Sequence, residues 1–291
     1  MDRLPVEITT NIIRHFIANV RGNSESDMGN QGSPAPSLAS HATVSRVWQH
    51  CIEAVTFANI TLTRERLASP LVAQALTPER VCRFVRSVHV DVLLPEYDET
   101  ARREIEDDND KAANNTVFTD VVRKVFALLS PASGMCTDAI NSGRDGGDGG
   151  GRGSLQQPAG VGVATTDYRP KIHLSMEALC LSDTKQLEAR YLTSIRYEGS
   201  YLDLRLAAGE SVQDVANNLP ELHCISKFCV WDYANKLHPA SSPCRGCHRH
   251  FAPRALCLLA SKMSGLQKVH WVLCDNERRD VGLRKRLRAG E

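Results

Sequence analysis

Cys244-Arg245-Gly246-Cys247-His248, with His250 two residues on, is the densest group of potential ligands in the chain. A Cys-x-x-Cys-His run is the pattern of covalent haem attachment. That chemistry belongs to oxidising compartments, and nothing in the sequence directs the chain there. The same side chains offer two thiolates and two imidazoles, a donor set that suits zinc. A strong zinc signal is a pair of such knuckles, and only one is present. Four ligands within seven residues are also too crowded for an unstrained tetrahedron, unless His238 or Cys257 replaces one of them. Cys244, Cys247, His248 and His250 are therefore weak candidates. The plainer reading is a Pro/Ser-flanked surface loop, and no metal or other cofactor is expected.

Other reactive residues lack the company that catalysis needs. The segment from Glu96 to Asp110 holds eight carboxylates and two arginines. Paired carboxylates do acid–base work when they are buried and unequal. These lie in a polar run and are expected to be solvated, as a plain face or as a patch for a basic partner. Arg278 to Arg288 carries six Lys or Arg and reads as a solvated helix end. Ser45 and Ser182 have no Gly-x-Ser-x-Gly setting. No His-Glu-x-x-His, phosphate-loop or Gly-x-Gly-x-x-Gly pattern occurs. No catalytic centre is read, and the chain is expected not to be an enzyme.

The elements that carry these residues are legible from periodicity. Ile8, Ile12, Ile13, Phe16, Ile17 and Val20 recur at helical spacing, just after Leu4-Pro5. Val44, Val47, Trp48, Cys51, Ile52 and Val55 form a second amphipathic helix. Phe118, Val121, Val122, Val125, Phe126 and Leu129 predict a third, starting near Asn114 or Asn115. Arg86 to Leu94 alternates, is β-branched and stops at Pro95, so it reads as a strand. Met176–Leu181, Tyr201–Leu206, Ile225–Trp231 and Leu266–Cys274 resemble it, with a helix at Pro253–Met263 between the last two. Strands alternating with helices predict a βα array of the leucine-rich kind with uneven periods. A doubly wound parallel sheet is the alternative.

Two stretches interrupt this pattern. Residues 21–37 are small, polar and rich in Gly, Pro and Ser, with little apolar area to offset the entropy of ordering. Residues 132–169, with nine of the 19 glycines between Gly143 and Gly162, read as a flexible tether. A phosphate-cradling loop there would need a preceding strand and a Lys-Ser/Thr pair, which are missing.

Composition sets the outer bounds. The chain has 291 residues, 42% hydrophobic and 24% charged, enough for a real core in one or two domains. Its 35 Lys and Arg nearly cancel 34 Asp and Glu, leaving +1. That balance argues against a general nucleic-acid binder. No apolar run reaches the roughly 18 residues of a membrane span. Met1-Asp2-Arg3-Leu4-Pro5 lacks the basic and apolar regions of a secretory signal. The expected location is cytoplasmic or nuclear, where the ten cysteines stay reduced, with Cys180 and Cys257 buried in their apolar runs.

Leu4-Pro5-Val6-Glu7-Ile8, Ile12-Ile13, Phe16 and then Leu38 to Trp48, closing on Val44-Ser45-Arg46-Val47-Trp48, resemble an F-box. That family opens on Leu-Pro-x-Glu-Ile/Leu and closes on Val-Ser/Cys-Arg/Lys-x-Trp. The continuation from Ile52 to Leu62, Leu94-Pro95-Glu96-Tyr97-Asp98 and Asn114-Asn115-Thr116-Val117-Phe118 resembles the F-box proteins of filamentous fungi. The likeness is strong over 1–62, extends to about 130 and is weak beyond. It departs from the family where residues 21–37 split the unit, a loop insertion costing only roughly 0.6 kcal/mol per doubling of length.

The resemblance implies an α+β or α/β chain in four parts. These are an F-box helical hairpin at 1–62 with its insert at 21–37, a strand–helix extension at 63–131, a Gly-rich linker at 132–169, and an irregular leucine-rich-repeat-like, substrate-binding region at 170–291. It implies that Leu4, Pro5, Ile8, Ile12 and Val44 dock on the Skp adaptor, and through it a cullin, with Trp48 bracing the second helix. The chain would then present an unknown protein substrate for ubiquitination without doing chemistry itself. The residues alone agree this far: two short helices with wide apolar faces leave a patch of the kind that marks protein interfaces. Internal packing of that patch, a protein-interaction module outside the ubiquitin pathway, and an α/β enzyme with an unrecognised site are the other readings.

Overall fold

A computed structural model describes residues 8, 11–13, 15, 43, 45–141, 171–184, 196, 197, 200–204, 212–230 and 249–271. Ile8, Asn11, Ile12, Ile13 and His15 are helical. The elements that follow are α1 (Arg46–Thr56), β1 (Asn59–Thr63), α2 (Arg64–Ala68), α3 (Pro70–Ala75), α4 (Pro78–Phe84) and β2 (Ser87–Leu94). After a 3₁₀ turn at Ala101–Arg103 come α5 (Asp108–Asn141), β3 (Ile172–Cys180), α6 (Leu181–Thr184), α7 (Val212–Asn218), β4 (Ile225–Val230), α8 (Pro253–Ser261) and β5 (Lys268–Trp271).

Local chemistry sets the boundaries. Ser45 caps α1, its side chain accepting from the Trp48 amide. Thr77 caps α4 in the same way through the Arg80 amide, with Pro78 in the first turn where its missing N–H costs nothing. Asp107 accepts from the Asp110 amide at 2.7 Å, and Asp108 and Asp110 add negative charge to the first turn of α5. This capping starts α5 six residues before Asn114, because the end of the acidic run, Asp107 to Asp110, is a helix N-terminus rather than a loop.

The five strands form one sheet in the order β1-β2-β3-β4-β5, every neighbouring pair parallel. Strand order follows chain order without reversal. The topological switch point of a doubly wound sheet is therefore absent among the described strands. On one face Val88, Val90, Val92 and Leu94 of β2 lie beside Leu174, Met176, Ala178 and Cys180 of β3, all buried. Phe118, Val121, Val122, Val125, Phe126 and Leu129 of α5 belong to the same core and are at most 1% exposed. Burying each such side chain contributes about 1.5–3 kcal/mol. Leu219, Leu222, Leu256 and Leu259 continue this core toward β4.

Several expectations are corrected. The segment 59–62, read as the tail of the hairpin, begins the sheet as β1, and the boundary at 63 falls inside that strand. The sheet also runs unbroken from β2 to β3, so 63–131 and 170–291 share one core rather than forming separate units. Helix α5 occupies 132–141, the start of the expected linker, with Ala132 and Ser133 buried. Of the strand expected at 201–206, the described residues 201–204 make a single bridge, Leu202 to Phe251, and 205–206 lie outside the described residues. Cys257 is exposed on α8, because the helix turns it away from Leu256 and Leu259, whereas Cys180 is buried as expected. The insert at 21–37 and the linker beyond Asn141 lie outside the described residues.

Gly265, in the turn before β5, shows how closely backbone approaches backbone. A Cβ there would sit 2.2 Å from the His223 carbonyl oxygen and 3.1 Å from that of Ile225. Neither atom belongs to a side chain that can swing aside. Gly265→Ala should therefore lower stability by about 1–3 kcal/mol, read as a shifted midpoint in urea unfolding.

Candidate functional site

The second face of the sheet is polar and half-exposed where β1, β2 and β3 meet. Strand alternation places Thr61, His89 and Ser175 in one row, and Thr63, Asp91 and Glu177 in the next. His89 is the hub. Its Nδ1 lies 2.8 Å from the Ser175 Oγ, and its Nε2 lies 2.8 Å from Asp91 and 3.7 Å from Glu177. The hydrogen bond to Asp91 raises the His89 pKa above its usual 6.5 against the opposing effect of burial, and the charges of Asp91 and Glu177 add to the rise.

Serine, imidazole and carboxylate in series invite comparison with a nucleophile and its base. The geometry does not serve that chemistry. Ser175 is 3% exposed in the middle of β3, with β2 on one side and β4 on the other. Its Oγ has no room for an acyl group. What the cluster offers is a cation-binding donor set: the ligand atoms of His89, Asp91 and Glu177 all lie within 4.8 Å of one another. Among the described residues this is the one such group.

A second cluster gathers at the carboxyl ends of β2 and β3; most carboxylates of the acidic run are exposed as expected, and the correction falls on Glu106. Glu106 is 2% exposed and Arg102 4%. Glu106 accepts from Arg249 Nη2 at 2.7 Å and from Asn114 at 2.6 Å, and also takes the Ser200 hydroxyl. Burial lowers the Arg249 pKa, and Glu106 opposes that shift. Arg249 stacks on Tyr197 at 4.2 Å, and Arg196 stacks on Tyr97 at 4.3 Å. Both tyrosine hydroxyls donate to Asp183. Burial, reinforced by the Asp183 charge, raises the Tyr197 pKa, so its hydroxyl stays protonated.

Leu94, Tyr97, Asn114, Cys180, Arg196 and Tyr197 line a small recess beside this network. Burial raises the Cys180 pKa and keeps the thiol neutral, and its Sγ donates to the Pro95 carbonyl. A protonated thiol is a poor nucleophile. Ser182 is equally committed: its Oγ accepts from the Tyr97 amide and donates to the Tyr97 carbonyl. Cys180 and Ser182 thus hold loops together here.

The expected adaptor residues fall in a third region. Ile8 and Ile12 are 47% and 46% exposed, while Ile13 is 1% exposed against Cys51 and Ile52 of α1. Trp48 is half-buried beside that small cluster. Arg80 of α4 reaches Glu53 of α1 at 3.0 Å, and His50 meets the Phe84 ring edge-on at 5.1 Å, which fixes α1 to the sheet unit. Leu4, Pro5, Val44, Cys244, Cys247 and His248 lie outside the described residues. His250 is half-buried, and its backbone carbonyl accepts from the Leu202 amide. Of the expected adaptor residues, the structure thus describes Ile8, Ile12 and Trp48, and it packs Trp48 against the Ile13 cluster.

Sequence reasoning missed His89, Asp91, Ser175 and Glu177. The signal was present in part. His89 and Asp91 occupy polar positions i and i+2 of an alternating strand, which puts both on one face. The registry with Glu177, 86 residues beyond Asp91, was not readable.

Comparison with family models, with curated proteins and with solved structures found no match. Among the described residues no helix is long and apolar enough to cross a membrane.

Two outcomes follow from this geometry. Glu106→Ala would leave Arg249 buried without its carboxylate and should cost about 3–5 kcal/mol in chemical denaturation. His89 should titrate above pH 6.5 by NMR in chelator-treated protein. Its folded pKa is raised, so its pairing with Asp91 contributes stability fully below 6.5 and loses it as pH rises through the folded value. His89→Gln should flatten that stretch of the stability–pH curve.

Proposed function

We propose that the chain is a non-catalytic adaptor of the F-box kind, which docks on the Skp adaptor of a cullin–RING ubiquitin ligase and presents a protein substrate. One observation carries the reading. Ile8 and Ile12 are about half exposed one helical turn apart, while Ile13, roughly 100° round the helix from Ile12, is sealed against α1. The buried stripe through Ile13 already serves packing on α1, so the Ile8–Ile12 pair is left for another contact. Apolar side chains left outside on one helical face suit a partner helix or groove. The small Ile13–Cys51–Ile52 cluster is separate from the main core, as suits a hairpin with its own role.

The substrate-binding part is then the irregular leucine-rich-repeat-like array. Parallel strands in chain order, with helices packed over one face, support that description. Its other face, with Thr61, His89, Asp91 and Glu177, is the surface offered to a substrate. Adaptor work needs no reaction centre, because holding a substrate near the ligase raises the effective concentration of its lysines. A cytoplasmic or nuclear location suits the reduced thiols of Cys51, Cys82, Cys180, Cys224, Cys229 and Cys257.

The test is a pull-down of purified Skp adaptor by the full chain and by an Ile8→Asp/Ile12→Asp variant. Wild type should capture the adaptor. The variant should lose capture with its far-UV spectrum and melting temperature nearly unchanged, since both side chains are already half in water. Trp48→Ala should instead lower stability by about 0.5–3 kcal/mol, because its ring is half-buried rather than enclosed. Failure of wild type to bind, or full binding by the double variant, overturns the adaptor reading.

A further inference from the structure

We propose that His89, Asp91 and Glu177 form a binding site for one divalent transition-metal ion of the zinc type on the polar face of the sheet. The site is independent of the hairpin at Ile8 and Ile12, so either reading can fail alone.

Three features support the site. The first is donor spacing. Two ligands about 2.1 Å from zinc at the tetrahedral angle lie about 3.4 Å apart. The His89 Nε2 is 2.8 Å from Asp91 and 3.7 Å from Glu177, which brackets that value, and all three donors fall within 4.8 Å. The second is register. Asp91 pairs with Glu177 directly across neighbouring parallel strands. Like charges at facing positions destabilise a sheet, and a cation between them reverses the sign of that interaction. The third is how the imidazole is held. Ser175 is buried and takes the Nδ1 side at 2.8 Å, so Nε2 faces the two carboxylates. A partner that fixes the far nitrogen is the usual support of a metal-bound histidine.

The donor set also selects the ion. One imidazole and two carboxylates suit zinc and its first-row neighbours, whereas magnesium and calcium favour all-oxygen shells. The side chains are about a third exposed for His89 and less for the carboxylates. Three protein ligands on strands leave the outward position for water or for a donor from a docked molecule. No fourth protein ligand is required for the site to bind.

The test uses full-length protein carrying Cys244→Ser and Cys247→Ser, which removes the thiols of the other metal-ligand run in the sequence. Zinc chloride is titrated by calorimetry into chelator-stripped protein. This background should bind one equivalent, and cobalt(II) bound there should show visible d–d bands without a thiolate charge-transfer band. His89→Gln or Glu177→Gln should abolish the equivalent. Ser175→Ala keeps all three ligands and should weaken binding roughly 10-fold or more. It serves as the deciding variant if a ligand substitution fails to fold, as judged by circular dichroism. No zinc uptake by the background protein overturns the proposal. So does uptake that is unchanged in folded His89→Gln, or unchanged in Ser175→Ala when the ligand variants do not fold.

Discussion

The ion pair between Glu106 and Arg249 joins residues 143 positions apart and is shut off from solvent on both sides. Taking two charges out of water is expensive, and each further hydrogen bond to the pair offsets part of that cost. Asn114 and Ser200 supply such bonds to the carboxylate; the guanidinium bonds through Nη2 and lies against the Tyr197 ring, while its Nε and Nη1 are buried without a hydrogen bond. The loop after β2, the start of α5, the turn near Ser200 and the approach to α8 are thereby held to one point. The ends of β2 and β3 inherit their geometry from it, and so do the turns that carry Tyr97 and Ser182.

Below that point the sheet is simpler. The buried rows of β2 and β3 are apolar and largely β-branched, and α5 lays a continuous apolar stripe across them. Alternation along a strand then leaves every second side chain on the far face, whatever its chemistry. His89 and Asp91 stand where they do because Val88, Val90 and Val92 must face inward. The core's register thus sets the place of the polar cluster, and its contacts with Ser175 and Glu177 depend on two strands being correctly aligned.

This division explains what the residues alone disclosed. Periodicity located α1, α5, α8 and the strands β2 to β5, because repeated apolar positions are a local property. It misplaced the start of α5, since Asp107 and Asp108 read as loop acids until their capping role is seen. It overlooked β1, a five-residue strand whose sequence, Asn59 to Thr63, is only weakly apolar. It placed Glu106 in water, because the partner that draws it inside lies far along the chain. For the same reason the Leu4–Trp48 pattern could be read from the chain, whereas the His89 cluster could not: one is spelled in consecutive residues and the other is assembled across strands.

Strands that join the sheet in the order they leave the chain have a consequence for how such a molecule changes over generations. Each new strand touches the one before it and leaves the earlier pairings alone. A strand and its covering helix can be gained or lost beyond β5 without rethreading β1 to β4. The connection between β2 and β3 can lengthen at small entropic cost, since its ends are already fixed by α5 and by the ladder. Variation is far less free around Glu106 and Arg249, where a single exchange strands a buried charge. Descendants of this chain would therefore be expected to differ in length and in the composition of their connections well before they differ at that pair.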